Sequence, residues 1–176
     1  ERPVVCGVSF GGVVALEFAA RYPQALEAVA VQGVGVRYER GLVQRIASLV
    51  LSGYPLPPNS PFVNQFFNLL FGTRQPRPVF EFVTRQCWQT DQSVMAHRLH
   101  LVERCDFAPK LGRATVPACA LAGERDLLVS PASLEELTDA LPDGHGELLP
   151  QCGHLAFVTH PRLVAEKWRE FIGALV

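Results

Sequence analysis

The stretch Val4-Val5-Cys6-Gly7-Val8-Ser9-Phe10-Gly11-Gly12 decides the fold. Residues 4–7 form a short apolar strand. Residues 11–22 read as a helix that is apolar or small except where Glu17 and Arg21, spaced i,i+4, mark a wet side. Between them lies Gly7-Val8-Ser9-Phe10-Gly11, a Gly-x-Ser-x-Gly pattern. The bare pattern is common. The strand ahead and the helix behind give it meaning, because they put the serine on a sharp turn with its hydroxyl projecting from a sheet edge. Gly7 and Gly11 are expected to let strand and helix approach closely there. The helix start leaves backbone N–H groups beside the serine, so the Phe10 N–H is the expected donor to a developing oxyanion. A phosphate-binding loop is the competing reading, but no lysine stands where such a loop needs one.

Outward from this turn, residues 28–31 form a second apolar strand closed by Gly33 and Gly35. Its unbroken apolar character suits a parallel strand covered on both faces. Residues 116–122 (VPACALA) form a third strand, ended by Gly123. Ser130-Pro131 starts a helix with a capping hydroxyl and a proline in the first turn, and Leu134, Leu137 and Leu141 mark its buried side. A Pro142-Asp143-Gly144 turn precedes a short strand over 146–149. His160-Pro161 opens a last helix striped by Val164, Trp168, Phe171 and Leu175. Strands alternating with helices predict a mostly parallel sheet with right-handed crossovers. Residues 36–109 differ in character. They hold helical stretches broken by Pro55, Pro57, Pro58, Pro61, Pro76 and Pro78, with no convincing strand. Phe62, Phe66, Leu69 and Leu70 fall at i, i+4, i+7 and i+8, an amphipathic stripe. Phe80, Val83 and Trp88 lie on another helix. The expected organisation is a core over 1–35, a helical insertion over 36–109 and the rest of the core over 110–176.

A serine hydroxyl is a poor nucleophile until a base takes its proton, and the base needs a third group to hold its tautomer. Both partners belong on loops at the C-terminal ends of later strands, acid first and histidine second. Asp126, in Leu-Ala-Gly-Glu-Arg-Asp, follows the third strand. Glu124 competes, but its place beside Gly123 is expected to be taken up by the strand exit. Asp126 as a plain loop carboxylate stays open at this point. His154, in Gln-Cys-Gly-His-Leu, follows the last strand, and Gly153 supplies the turn that brings the imidazole over the sheet edge. Of the other histidines, His97 and His100 belong to a helix surface, His145 to the wrong end of the sheet and His160 to a helix start.

Hydrophobic residues at 48% against 19% charged exclude a disordered chain, and 176 residues are enough to bury a core. Sixteen basic and 17 acidic residues, with no basic cluster, leave no footprint for nucleic acid. A small neutral or weakly polar partner fits better. The five cysteines are odd in number, lack a Cys-x-x-Cys pair and sit in apolar runs. Buried reduced thiols are expected rather than disulfides or a metal site. No apolar run nears the roughly 18 residues of a membrane span. The odd cysteine count and the lack of a visible signal peptide make a cytoplasmic location the expectation, with a targeting segment in the missing upstream sequence as the alternative. The chain starts without Met and enters a central strand almost at once, so upstream sequence is expected to be missing.

Taken together, Gly-Val-Ser-Phe-Gly-Gly, Leu-Ala-Gly-Glu-Arg-Asp and Cys-Gly-His-Leu-Ala-Phe-Val-Thr-His-Pro resemble the α/β-hydrolase superfamily, in the lidded group that cleaves ester or carbon–carbon bonds. The likeness is strong at both ends and poor in the insertion. It implies an α/β fold of that kind, here partial, with a helical cap between the second and third strands present. It implies Ser9 as nucleophile, Asp126 as acid, His154 as base and the Phe10 backbone as oxyanion donor, with no metal or organic cofactor. The expected reaction is acyl transfer from a small apolar ester-like substrate to water through a Ser9 acyl-enzyme. Val8, Phe62 and Phe66 are the expected substrate contacts, with Phe67, Phe71 and Phe80 nearby. The alternative is that the aromatics only pack the cap's own core. Val8 departs from relatives that carry a polar residue there. Relatives also have strands and a His-Gly-type loop ahead of the serine that supply a second oxyanion donor, so a fragment inactive or unstable alone is expected. Rival readings are a thioesterase, lactonase, aminopeptidase or acyltransferase on the same scaffold, and a binding protein without catalysis. The oligomeric state is not legible.

Overall fold

A computed structural model describes residues 1–38, 42–53, 56 and 60–175, with the side chains of 42–44 outside the description. The chain runs β1 (Val4–Val8), α1 (Phe10–Arg21), β2 (Ala28–Gln32), α2 (Leu42–Gly53), α3 (Pro61–Phe71), α4 (Arg77–Trp88), α5 (Gln92–Glu103), β3 (Ala118–Gly123), α6 (Pro131–Ala140), β4 (Gly144–Leu149), α7 (Ala156–Thr159) and α8 (Pro161–Gly173). The four strands form one parallel sheet in the order β1-β2-β3-β4, so β1 and β4 are its edges. Pro55, Pro57 and Pro58, read as helix breaks, lie outside the described residues.

The two faces of the sheet are covered separately. Val29 and Val31 of β2 and Ala118, Ala120 and Ala122 of β3 pack against α1 and α6 through Leu16, Leu134 and Leu137. Ala30, Cys119 and Leu121 point the other way, to Val164, Trp168 and Phe171 of α8. That two-sided burial is why β2 and β3 read as continuous apolar runs. Small alanines on both strands let the helices lie close. Ser130 caps α6 by accepting the Ser133 N–H at 3.2 Å. Lys110 and Arg21 both bond Glu17, which fastens α1 to the segment ahead of β3.

Three local expectations are corrected. Gly7 and Gly12, not Gly7 and Gly11, make the close approach of β1 and α1. A Cβ at Gly7 would lie 2.5 Å from the Gly11 carbonyl oxygen, and one at Gly12 would collide with Val34, whereas one at Gly11 would meet open space. The phase of the helix decides this, since Gly12 faces the sheet and Gly11 faces out. Gly144 is the first residue of β4 rather than part of a turn, so His145 lies inside that strand opposite Cys119. Cys6 is exposed, because it stands on an edge strand with no neighbour beyond it among the described residues, while Cys119 and Cys152 are buried as expected.

Helices α2 to α5 fill the connection between β2 and β3. The chain leaves and returns at one point, where the Phe107 N–H donates to the Val36 carbonyl at 2.8 Å. On α3 the buried residues are Val63, Phe67, Leu70 and Phe71, rather than the expected Phe62–Phe66–Leu69–Leu70 stripe, and Leu69 is exposed. This helix meets apolar surroundings on more than one side, so a single stripe does not describe it. Phe71 packs on Phe80 at 6.0 Å between ring centroids. No described helix is long and apolar enough to cross a membrane.

Candidate active site

Ser9 follows the end of β1 with φ 49° and ψ −121°, a positive φ that side-chain-bearing residues rarely adopt. Its N–H donates to the Gln32 carbonyl at 2.8 Å, and its own carbonyl accepts the N–H groups of Gly12 and Val13. Both ends of the turn are therefore held, and holding is what such a strained residue requires, at a cost of about 1–3 kcal/mol. The first N–H groups of α1, Phe10 among them, have no carbonyl four residues back inside the helix.

Asp126 leaves the tip of β3 and is 6% exposed. One carboxylate oxygen accepts the N–H groups of Leu128 and Val129 at 2.8 and 3.1 Å. The other lies 2.9 Å from His154 Nδ1. His154 Nε2 lies 2.8 Å from Ser9 Oγ. With Nδ1–H donating to the carboxylate, Nε2 is left to accept the serine proton. Three side chains from β1, β3 and β4, separated by up to 145 positions, thus form one hydrogen-bonded line. Glu124 is elsewhere: its N–H bonds the Leu149 carbonyl and its carboxylate takes the Gln151 N–H at 2.9 Å. The strand exit does consume it.

The His154 loop is shaped by close contacts. Gly153 abuts the backbone of Leu70 and Phe71 so tightly that a Cβ could not be added. The α3 helix of the insertion is therefore seated directly on the histidine loop. Sequence reading missed two residues on the opposite side. Gln32, 1% exposed, donates its side-chain amide to the His154 carbonyl at 3.0 Å, while its other amide atom, Oε1, is buried without a partner among the described residues. Gly33, φ 69°, lies against the imidazole ring. Gln32 is the last residue of an apolar strand, where a lone polar side chain was the available signal.

A cavity of about 310 Å³ opens above this line, near the lower end of ligand-pocket sizes. Its floor is Ser9, Phe10 and His154, and its walls come mainly from α2 to α5 and from Leu128 and Leu155. Phe62, Phe66 and Phe67 line it, whereas Phe71 and Phe80 do not. The two readings of the aromatics therefore divide between residues. Val8 does not line it either. Strand alternation puts Val8 on the same side of β1 as Cys6. Tyr38, also missed, lines the cavity. Burial pushes its hydroxyl well above the ordinary phenol range, against a smaller opposing pull from the Gly35 backbone, so it stays a neutral donor. Among the described residues, no group of three or more His, Cys, Asp and Glu is placed to hold a metal ion.

The likeness to known proteins agrees with this architecture. A candidate carbamate hydrolase, RutD, of Cronobacter turicensis is 26% identical over 92% of this chain and 62% of its own length. A pimeloyl-[acyl-carrier protein] methyl ester esterase of Aromatoleum aromaticum is 24% identical over 92% of this chain and 70% of its own. The chain thus spans roughly two thirds of the length of these curated relatives. The solved structure of a thermophilic esterase from Thermogutta terrifontis superposes with a TM-score of 0.79 at 22% identity, over 99% of this chain and 65% of that one, and shares its fold. The sequence profile of the alpha/beta hydrolase family matches residues 1–167, so the chain belongs to the alpha/beta hydrolase family.

Proposed function

We propose that this chain carries the catalytic machinery of a serine hydrolase that cleaves a small, largely apolar ester or related carbonyl compound through a Ser9 acyl-enzyme. One observation carries the reading: the unbroken line from Asp126 through His154 to Ser9 at 2.9 and 2.8 Å, ending at the floor of an apolar cavity.

Ser9 Oγ attacks the carbonyl carbon while His154 Nε2 takes the hydroxyl proton. Asp126, held by two backbone N–H groups, keeps the imidazole oriented and balances its positive charge. The oxyanion that forms lies beside the Phe10 N–H at the start of α1. As the tetrahedral intermediate collapses, His154 returns the proton to the leaving oxygen and the acyl group remains on Ser9. Water then enters, His154 takes its proton, and the acid is released with Ser9 restored. Helices α2 to α5 act as the cap, and Phe62, Phe66 and Phe67 hold the apolar part of the substrate.

Rapid mixing of a form lengthened upstream to the span of its relatives with p-nitrophenyl acetate tests this. The expected result is a burst of p-nitrophenol, with the intact mass raised by one acetyl group that maps to Ser9. An acetyl group elsewhere, or turnover undiminished in Ser9→Ala, contradicts it.

A further inference from the structure

Among the described residues lining the cavity, Arg98 is the one permanently charged. It stands on α5, with its guanidinium carbon 5.7 Å from the centroid of the Phe10 ring. It makes no ion pair among the described residues, in contrast to Arg2, Arg21, Arg37 and Arg77, each of which faces a glutamate. The rest of the wall is apolar apart from Ser9, Tyr38, Cys87 and His154. A guanidinium carries five N–H donors in a planar fork. Resting on an aromatic face orients that fork and limits the entropy lost on binding. Arg98 is exposed, at the solvent side of the cavity, and since Phe10 directly follows Ser9 its charge lies over the residue next to the reacting serine.

We infer that Arg98 is a specificity residue that selects esters whose acyl chain ends in a second, free carboxylate, that is, monoesters of dicarboxylic acids. This rests on the hydrolase reading of Ser9. The apolar walls take the methylene chain, the ester carbonyl lies at Ser9 Oγ, and the carboxylate pairs with the Arg98 fork. A carboxylate is favoured over a phosphoryl group because one guanidinium matches its single charge and two coplanar oxygens, and among the described residues no lysine and no second arginine line the cavity.

The test compares monomethyl glutarate with methyl pentanoate, esters of similar length of which only the first is anionic. In the wild type, kcat/KM is expected to favour monomethyl glutarate. In Arg98→Ala that preference falls ten- to hundredfold, as expected for losing a hydrogen bond to a charged group. The loss sits in KM, and Arg98→Lys restores part of it. Equal losses on both esters would make Arg98 a packing partner of Phe10 and overturn the inference, as would an unchanged preference. A second readout does not depend on turnover. NMR titration of Ser9→Ala with monomethyl glutarate should show binding that weakens in the Ser9→Ala/Arg98→Ala double variant. Arg98-dependent binding without hydrolysis in the wild type would refute the hydrolase reading, and the ester selection with it, while leaving Arg98 as a carboxylate-binding group. Hydrolysis of methyl pentanoate without Arg98-dependent binding would do the reverse.

Discussion

Gly33→Ala is the substitution that most directly probes how the fold holds the site. Gly33 follows β2 with φ 69°, and an added Cβ would lie 3.0 Å from His154 Cε1 and 3.2 Å from Nδ1. Two costs follow. A residue with a side chain in the left-handed region loses roughly 1–2 kcal/mol. At about 2–4 °C per kcal/mol for a chain of this length, melting falls by about 2–8 °C. The second cost falls on the ring. Carbon atoms rest about 3.5–4.0 Å apart, so the imidazole must retreat by roughly half an ångström. It has little room, since both ring nitrogens are engaged at 2.8 and 2.9 Å. A 1 Å misplacement can cost about a hundredfold in rate, so roughly a tenfold loss is expected here. The assay is the acylation rate of Ser9 in the p-nitrophenyl acetate burst, with thermal unfolding followed by circular dichroism on the same samples. Lower melting with an unchanged acylation rate would mean that the ring does not rest on Gly33. Wild-type values for both would refute the strain argument as well.

Other substitutions probe other parts of the molecule. Asp126→Asn should lower kcat by about 10⁴, as loss of the charge that orients the histidine does elsewhere. Glu124→Gln, two positions away on the Gln151 N–H, should change kcat less than twofold, a contrast that steady-state kinetics on a p-nitrophenyl ester will read. Gln32→Leu leaves the buried His154 carbonyl without its donor and should cost about 1–3 kcal/mol in urea unfolding, with slower acylation of Ser9. Burial opposes ionisation of Glu17, but hydrogen bonds from Lys110 and Arg21 outweigh it and lower its pKa. Its contribution is therefore present above the ordinary carboxylate range and is lost as pH falls through the lowered value. Melting of Glu17→Gln should lie below wild type at neutral pH and converge with it in acid.

What the sequence discloses follows the range of the interactions. The strand–serine–helix turn is local, and so are the acid and histidine loops that follow β3 and β4, so Ser9, Asp126 and His154 could be placed one by one. Their alignment depends on the parallel register, which the apolar runs imply. Facing is less legible. Whether Gly11 or Gly12 meets β1 depends on helix phase within one residue, and the strand pattern does not disclose that Val8 stands outside the cavity lining. On α3, Phe62, Val63, Phe66 and Phe67 line the cavity while Phe71 is buried outside its lining, because the helix lies between the histidine loop and the other insertion helices. The Gln32–His154 contact spans 122 positions, and no local pattern encodes it.

The most direct test of the Ser9 assignment is covalent modification by a fluorophosphonate, read by intact mass and peptide mapping with Ser9→Ala as control. It is run on this 176-residue chain and on a form lengthened upstream to the span of its relatives. A single adduct on Ser9 of the lengthened form, absent from its Ser9→Ala variant and from the shorter chain, is the predicted result. A folded lengthened form left unmodified, or modified equally in Ser9→Ala, would contradict a nucleophilic serine at this site.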